Sequence, residues 1–502
     1  MGILHSFDRV RLQGSLRYLY CADVFMEYLS KAKVLLKDFK KFATGLTAEV
    51  CQDAADLAKS AGRPFLYYSG LINKEQAARD ILRRDDIKEG LVAVFRCVEP
   101  CRTYKAQGNP VTKMLDLKLQ LGKCLHLYFY LLHPRLGLLH LRLQTWFPYL
   151  IHICFNGHEW LARQMDEKGL AYRKADNRFT WIEDMGAAQK LADQQLSTDW
   201  VALCEGLRQN CHRLHEKIVA PLQGISYYWT APQTEFASDI LFRSQGALDR
   251  LFPRLTLHAM LNLGCDQVMR FLGRKLTGQF GGDVVSDLRR RSEGVRLKHW
   301  VNENSVKLYN CLNVLRPETT IHNPKDLRVY RASETQPNGA MGWRVLRQNV
   351  ADLYRRAEIS RAANERYLTA LAAASQTTPL AEEAATVCRP IRREGCRARA
   401  LNPFGAEDAR LLSAINRGEW TLKGFRNRDL RPLLFARAKD NKERHSQAAK
   451  VTRRLALLHA HGLISKVQRT HRWQLTQKGR RIVTALLAAR HADTDKLMSL
   501  AA

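Results

Sequence analysis

Apolar residues recur at helical spacing near the start of the chain. Val24, Phe25, Tyr28 and Leu29 form one stripe, and Leu35, Leu36, Phe39 and Phe42 form another beside Lys33, Lys37, Lys40 and Lys41. An extended run at Phe65 to Tyr68, a helix near Lys74 to Arg84 and a buried strand from Leu91 to Val98 complete residues 1–105, read as a mainly helical N-terminal region. From Cys124 the period becomes two, with Leu125, Leu127, Phe129 and Leu131 alternating against His126, Tyr128 and Tyr130. The chain reverses at His133-Pro134-Arg135-Leu136-Gly137, returns through Leu138 to Trp146, and adds Leu150 to Phe155 before Asn156-Gly157 and a helix over His158 to Lys168. Mixed structure continues to a loop at Glu334 to Gly339, so residues 106–335 read as a mixed α+β central body built on an antiparallel sheet. A long bridging helix is expected over 342–375, on the stripe Leu346, Val350, Leu353 and Ala357. A linker without sustained periodicity follows over 374–403, and together they make a 336–400 segment.

Residues 401–502 show three successive helices, Ala406 to Asn416, Arg426 to Phe435 and Ser446 to His461, with Gly462 as a helix stop. On the third, Val451, Leu455 and Leu458 form the packing stripe, while Lys450, Arg453 and Arg454 lie off it. Leu463 to Val467 and His471 to Thr476 then form a small hairpin. The fold class is therefore multidomain α+β. Charge sharpens the picture: 80 Lys and Arg stand against 49 Asp and Glu, a net of +31 over 502 residues. Such an imbalance argues against an ordinary neutral metabolic enzyme, and the 46% hydrophobic content argues against wholesale disorder. Residues 401–502 alone hold 21 Lys and Arg against 8 Asp and Glu, which favours contact with a polyanion there. DNA is the leading partner and RNA the alternative.

The stretch Leu455-Ala456-Leu457-Leu458-His459-Ala460-His461-Gly462-Leu463-Ile464, with Trp473-Gln474-Leu475-Thr476-Gln477-Lys478-Gly479 after it, resembles the winged helix-turn-helix domains of the MarR and ArsR regulator families. The resemblance covers about the last fifth of the chain. It implies that the helix carrying Lys450, Arg453 and Arg454 enters a major groove, and that the hairpin carrying Arg469 and Arg472 reaches the neighbouring backbone or minor groove. It also makes a homodimer a candidate assembly. The preceding 400 residues set the chain apart from those small repressors.

A second concentration of chemistry lies between Gly281 and Arg328. Arg289, Arg290, Arg291, Arg296, Lys298 and His299 make a positive patch beside Trp300, a candidate stacking surface. The hairpin that follows would place Lys307 and Tyr309 on one face of its first strand, and Arg316, Glu318 and Thr320 on one face of its second. Its spacing is similar to a Lys-x-Tyr, turn, Arg-x-Glu hairpin in replication initiators of filamentous phages and rolling-circle elements, over about 20 residues. Lys307, Tyr309, Arg316 and Glu318 converging there could hold a divalent metal such as Mg2+ or Mn2+, position a phosphate or supply a tyrosine nucleophile, with Tyr309 attacking a phosphodiester or Glu318 binding metal in a catalytic version. The sequence departs from the pattern at Asn310 and Cys311, and no His-hydrophobic-His pair lies in a nearby strand. The competing reading is a cross-strand ion pair of Lys307 or Arg316 with Glu318. Asp176, Glu183, Asp184, Asp239, Asp283 and Asp287 are further candidates for a metal-dependent nuclease or transposase site. Gly278 to Asp283 lacks the Lys-Ser/Thr ending of a Walker loop, so ATP-driven chemistry has no support.

Twelve scattered cysteines suggest free thiols in a reducing, cytoplasmic setting. Cys97 with Cys101, and Cys204 with Cys211, His212 and His215, are the closest zinc-type spacings, and buried structural thiols are the commoner meaning. No run reaches the roughly 18 apolar residues of a membrane span. The aromatic groups around Trp146 and Trp160 fit core packing better than base stacking. The expected function is nucleic-acid binding, through the terminal module and the central basic groove, in the replication, transposition or processing of DNA from a mobile element. A non-catalytic transcriptional regulator and a structured-RNA-binding protein are the alternatives.

Overall fold

A computed structural model of the chain describes residues 2–70, 72–211, 218, 226–273, 284–291, 294–333, 339–372, 380–393, 396–420, 424–467 and 470–492. The α+β chain forms two compact units. Met1–Phe242, Thr320–Asn323 and Arg347–Ala357 make the first, and Arg243–Thr319, Pro324–Leu346 and Glu358–Ala502 make the second.

The first unit contains β1 (Gly2–Ser15), β2 (Phe65–Tyr67), β3 (Gly90–Gly108), β4 (Leu115–His133), β5 (Gly137–Gln144), β6 (Ile151–Asn156), a separate hairpin of β7 (Tyr172–Ala175) and β8 (Arg178–Ile182), and β9 (Tyr228–Leu241). Its sheet runs β9-β1-β6-β5-β4-β3-β2, antiparallel except for β2 against β3. The helices are α1 (Ala22–Lys31), α2 (Phe39–Ser60), α3 (Lys74–Arg84), α4 (Gly157–Glu167), α5 (Met185–Gln194) and α6 (Trp200–Cys211). Strand alternation sorts the side chains: Val10 and Leu12 of β1 are buried while Arg9 and Arg11 are exposed. On the apolar face Phe25 meets Tyr104, Phe147 and Phe39 at ring separations of 4.6, 4.7 and 5.8 Å, and Trp160 meets Trp200 at 5.8 Å. Aromatic rings bury large areas, so this cluster anchors α1, α2, α4 and α6 to the sheet. Asn156 ends β6 and caps α4, its side chain accepting from the His158 and Glu159 amides at 2.8 and 3.1 Å.

Residues 1–105 hold the helices α1, α2 and α3 that their sequence suggests, but also two long strands. β1 lies inside the sheet, and the expected boundary near 105 falls within β3, whose partner β4 lies beyond it. The alternation Arg9-Val10-Arg11-Leu12-Gln13 is the sequence signal for β1, too short to outweigh the helical stripes that follow it.

The second unit opens with α7 (Gln245–Asn262) and α8 (Cys265–Phe271), then an antiparallel meander of β10 (Val284–Arg291), β11 (Gly294–Val301), β12 (Asn304–Cys311) and β13 (Val314–Ile321). Leu297, Val301, Val306 and Leu308 are buried, and the other meander face is polar. A hairpin of β14 (Arg328–Arg331) and β15 (Gly342–Val345) follows, then α9 (Leu353–Ala372). The long helix expected over 342–375 thus starts eleven residues later, because 342–345 pair as a strand. The expected linker holds α10 (Leu380–Ala385) and a hairpin of β16 (Ile391–Arg393) and β17 (Cys396–Ala398).

The chain ends in α11 (Ala406–Ile415), α12 (Asn427–Leu434), α13 (Asn441–Ala460), β18 (Ile464–Lys466), β19 (Trp473–Leu475) and α14 (Gln477–Arg490). Val451, Leu455 and Leu458 pack into a core with Leu411, Leu430, Leu434 and Ile482. Gly462, at φ 70°, ends α13 in the left-handed conformation that favours glycine. Phe425 and Trp473 exchange backbone hydrogen bonds of 2.8 Å, an isolated antiparallel bridge beside the two-stranded hairpin.

Two glycines test this packing. A methyl group at Gly157 would collide with the backbone carbonyl of Phe7, whereas exposed Gly45 in α2 has nothing within 4 Å of the same position. Gly157→Ala is expected to destabilise the protein by at least about 2 kcal/mol. Gly45→Ala is expected to stabilise it by about 0.5–1 kcal/mol. Denaturant titrations of both variants check the pair.

Candidate nucleic-acid interface

Register places the central residues. Arg289 lies opposite Arg296 and Arg296 opposite Tyr309, while Asp287 lies opposite Lys298 and Lys298 opposite Lys307. One face of the meander therefore carries Asp287, Arg289, Arg296, Lys298, Trp300, Lys307 and Tyr309. Arg291 shares that face and Arg290 points to the opposite one, so alternation divides the arginine triplet. Arg289 and Arg296 approach Asp287 at 2.7 and 3.4 Å, and the Lys298 ammonium sits 4.6 Å from the Trp300 ring centre. On the reverse face His299 contacts the Ser286 hydroxyl at 2.6 Å and the Tyr367 hydroxyl at 2.9 Å. Burial pushes the His299 imidazole down to about 4.

The hairpin's candidate catalytic groups are buried. Lys307 donates to the Glu318 carboxylate at 2.6 Å, and Lys307, Glu318 and Arg316 are 7, 2 and 6% exposed. Tyr309 is partly exposed. The cross-strand ion pair is thus present. Other candidate acids have local partners: Asp176 pairs with Arg178, Glu183 accepts from the Ala171 amide, Asp184 caps α5, and Asp239 lies 3.8 Å from His158. Asp283, with the glycine cluster before it, lies outside the described residues, as do Arg469, His212 and His215.

In the terminal module Asp440 caps α13 by accepting from the Glu443 amide at 2.6 Å, and Glu443 accepts from the Lys439 amide at 2.7 Å. The helix therefore begins five residues before the expected Ser446. Its first six residues are all exposed, which adds Lys442, Arg444 and His445 to exposed Lys450 and Arg453. Sequence reasoning misses these three because the apolar stripe begins only at Val451. Two expected contact residues are placed differently. Arg454 pairs with Glu407 and lies over the Phe435 ring. Arg472 is 7% exposed, donates to the Gly424 carbonyl at 3.1 Å and lies 4.5 Å from the Tyr330 ring centre. It is a structural residue of the hairpin, because its guanidinium turns inward instead of toward the tip.

The first unit holds a polar surface that sequence reading did not assemble. Register aligns Glu99 (β3), Cys124, His126 and Tyr128 (β4), His140 and Arg142 (β5), His152 and Cys154 (β6), and Arg9, Arg11 and Gln13 (β1) on one sheet face. Burial alone would raise the Glu99 carboxyl. Tyr128 at 2.8 Å, Arg142 at 3.0 Å and Lys74 at 3.2 Å instead hold it below the ordinary carboxylate range. Beside it Arg142 donates to His126 Nε2 at 3.1 Å, and Cys101 and Cys124 bring their sulfurs to 3.3 Å. Cys97 is a buried thiol, the commoner meaning of that spacing, and its Sγ contacts the Val98 carbonyl at 3.9 Å. Cys204 and Cys211 are buried, and burial raises both thiols.

No protein-family model, curated protein or solved structure matches this chain. Among the described residues, no helix is long and apolar enough to cross a membrane.

The buried charges make two behaviours measurable. Glu318→Gln leaves the Lys307 ammonium buried without its carboxylate and is expected to cost about 3 kcal/mol. The Lys307→Met/Glu318→Leu pair is expected to cost less than that single change in denaturant titration. Separately, burial pushes the His140 imidazole down to about 4 and His152 to about 3, in a setting of Arg9, Arg11, Arg142 and Glu75. An unfolded chain protonates these rings below about pH 6.5, while the folded chain keeps them neutral. The unfolded state then binds more protons, and stability is expected to fall as pH drops from about 6.5 to 4. A flatter pH profile for His152→Gln in urea titrations checks the assignment.

Proposed function

We propose that this protein binds DNA, with residues 401–502 acting as a winged helix whose α13 enters the major groove. The reading rests chiefly on α13. Its apolar stripe is buried, while Lys442, Arg444, His445, Lys450 and Arg453 are exposed, and the one acid of its first two turns, Glu443, is engaged at the cap. The order α11, bridge residue Phe425, α12, α13, then the β18–β19 hairpin supports it, since that succession lets one helix lie in a groove with a hairpin alongside. The basic meander face, with Arg289, Arg291, Arg296 and Lys298 around Trp300, serves as a second nucleic-acid surface.

Binding rather than strand cleavage is the activity proposed for the central hairpin. A Glu318 carboxylate held by Lys307 inside the sheet favours a scaffolding role for both residues. A role in mobile-element DNA processing or in transcriptional regulation uses the same surfaces, differing in whether a nick is made.

Fluorescence anisotropy with duplex DNA across a salt series tests the proposal. Lys442→Ala/Lys450→Ala/Arg453→Ala is expected to weaken binding and to reduce the slope of log affinity against log salt by about 3, one for each phosphate left without its cation. An unchanged slope, or tighter binding of folded RNA than of duplex, contradicts it. Nicking with Mg2+ or Mn2+ that disappears in Tyr309→Phe would overturn the non-cleaving assignment.

A further inference from the structure

The β3–β4 hairpin is longer than the sheet that supports it. β5 pairs with β4 from His126 to His133, and beyond that point residues 115–125 have β3 as their strand partner, with Tyr104 and Leu117 of this ribbon still packed in the apolar core. Cys101 and Cys124 stand at the root of this ribbon, with His126 one step inward on the same face. Their sulfurs are 3.3 Å apart, Cys124 Sγ is 4.0 Å from His126 Nδ1, and one ligand atom from each residue lies within 4.8 Å of the others.

We propose that Cys101, Cys124 and His126 bind a thiophilic divalent ion of the zinc type, which fastens the ribbon to the sheet. A tetrahedral ion with sulfur at about 2.3 Å and nitrogen near 2.0 Å sets its ligand atoms about 3.5–3.8 Å apart, and the observed separations bracket that range. The register favours an ion over a disulfide. Glu99 pairs with Cys124 and Cys101 with Gly122, so the two cysteines are diagonal neighbours. Diagonal Cα atoms lie about 7–8 Å apart, at or beyond the reach of a disulfide, and an ion between the sulfurs spans the difference.

Loading releases two protons, one from each thiol, as two metal–sulfur bonds form. Arg142 can only donate, so His126 Nε2 accepts and the ring proton sits on Nδ1, facing the Cys124 carbonyl at 3.2 Å. Coordination through Nδ1 moves that proton to Nε2, breaking both the Nδ1 contact with the Cys124 carbonyl and the Arg142-to-Nε2 hydrogen bond, so that Arg142 turns wholly to Glu99. The three side chains leave one coordination position for water or a further ligand.

The test uses full-length protein purified reduced, then equilibrated with Zn2+ or Co2+ and desalted. Elemental analysis is expected to find one more zinc per chain than in Cys101→Ser, and Co2+ to give a sulfur-to-cobalt charge-transfer band absent from Cys101→Ser and Cys124→Ser. His126→Asn is expected to weaken Co2+ binding at least tenfold, and loaded protein to resist proteolysis at residues 109–114 longer than metal-free protein. Partly exposed Cys101 makes its serine variant the fold-preserving control, checked by circular dichroism. Equal metal content in wild type and Cys101→Ser overturns the proposal, as does a Cys101–Cys124 disulfide in protein that retains no metal.

Discussion

The alternation of side chains across a β-strand is the constraint on which the rest depends. In each unit one face of the sheet carries the main apolar packing and the intervening positions carry most of the strand cations, although in the first unit Phe95, Tyr128, Tyr130 and Leu138 also pack against Ala78 and Ile81 of α3 on that second face. Val10 and Leu12 leave Arg9 and Arg11 together on the opposite face, and Leu297, Val306 and Leu308 do the same for Arg296 and Lys298. Part of the net charge of +31 is thereby brought together at these positions, where neighbouring cations reinforce one another's field. The helical counterpart is α13, whose single buried stripe leaves its remaining circumference to basic and polar residues.

The same sorting separates structural cations from those able to meet a ligand. Lys307, Arg316 and Arg472 are almost fully buried, and their charges serve internal contacts; a buried charge needs such partners to offset its desolvation. Lys442, Arg444, Lys450 and Arg453 retain solvent. Composition gives both groups equal weight, and burial decides between them.

Period-two stretches such as Leu125 to Leu131 and the 305–321 hairpin were legible in the sequence, as was the helical stripe Val451, Leu455 and Leu458, because one periodic face identifies each element without its neighbours. Helix starts were less legible: α13 begins where the Asp440 side chain caps it, before any apolar residue marks the pattern. The 19-residue extent of β3 and β4 was hidden because Lys105, Lys118 and Lys123 interrupt apolar runs at positions that prove solvent-facing. Sites made by register were the least legible. Cys101 and Cys124 are 23 positions apart, and their meeting depends on the turn at 109–114 setting Glu99 opposite Cys124.

Lysine acylation footprinting with and without duplex DNA tests the central claim most directly, since it reads which cations meet phosphate. Lys442 and Lys450 are expected to lose reactivity on binding, while Lys37, Lys40 and Lys41, exposed around the start of α2, keep theirs. Uniform protection of all five, or protection confined to the α2 lysines, would contradict a DNA-binding surface on the terminal module.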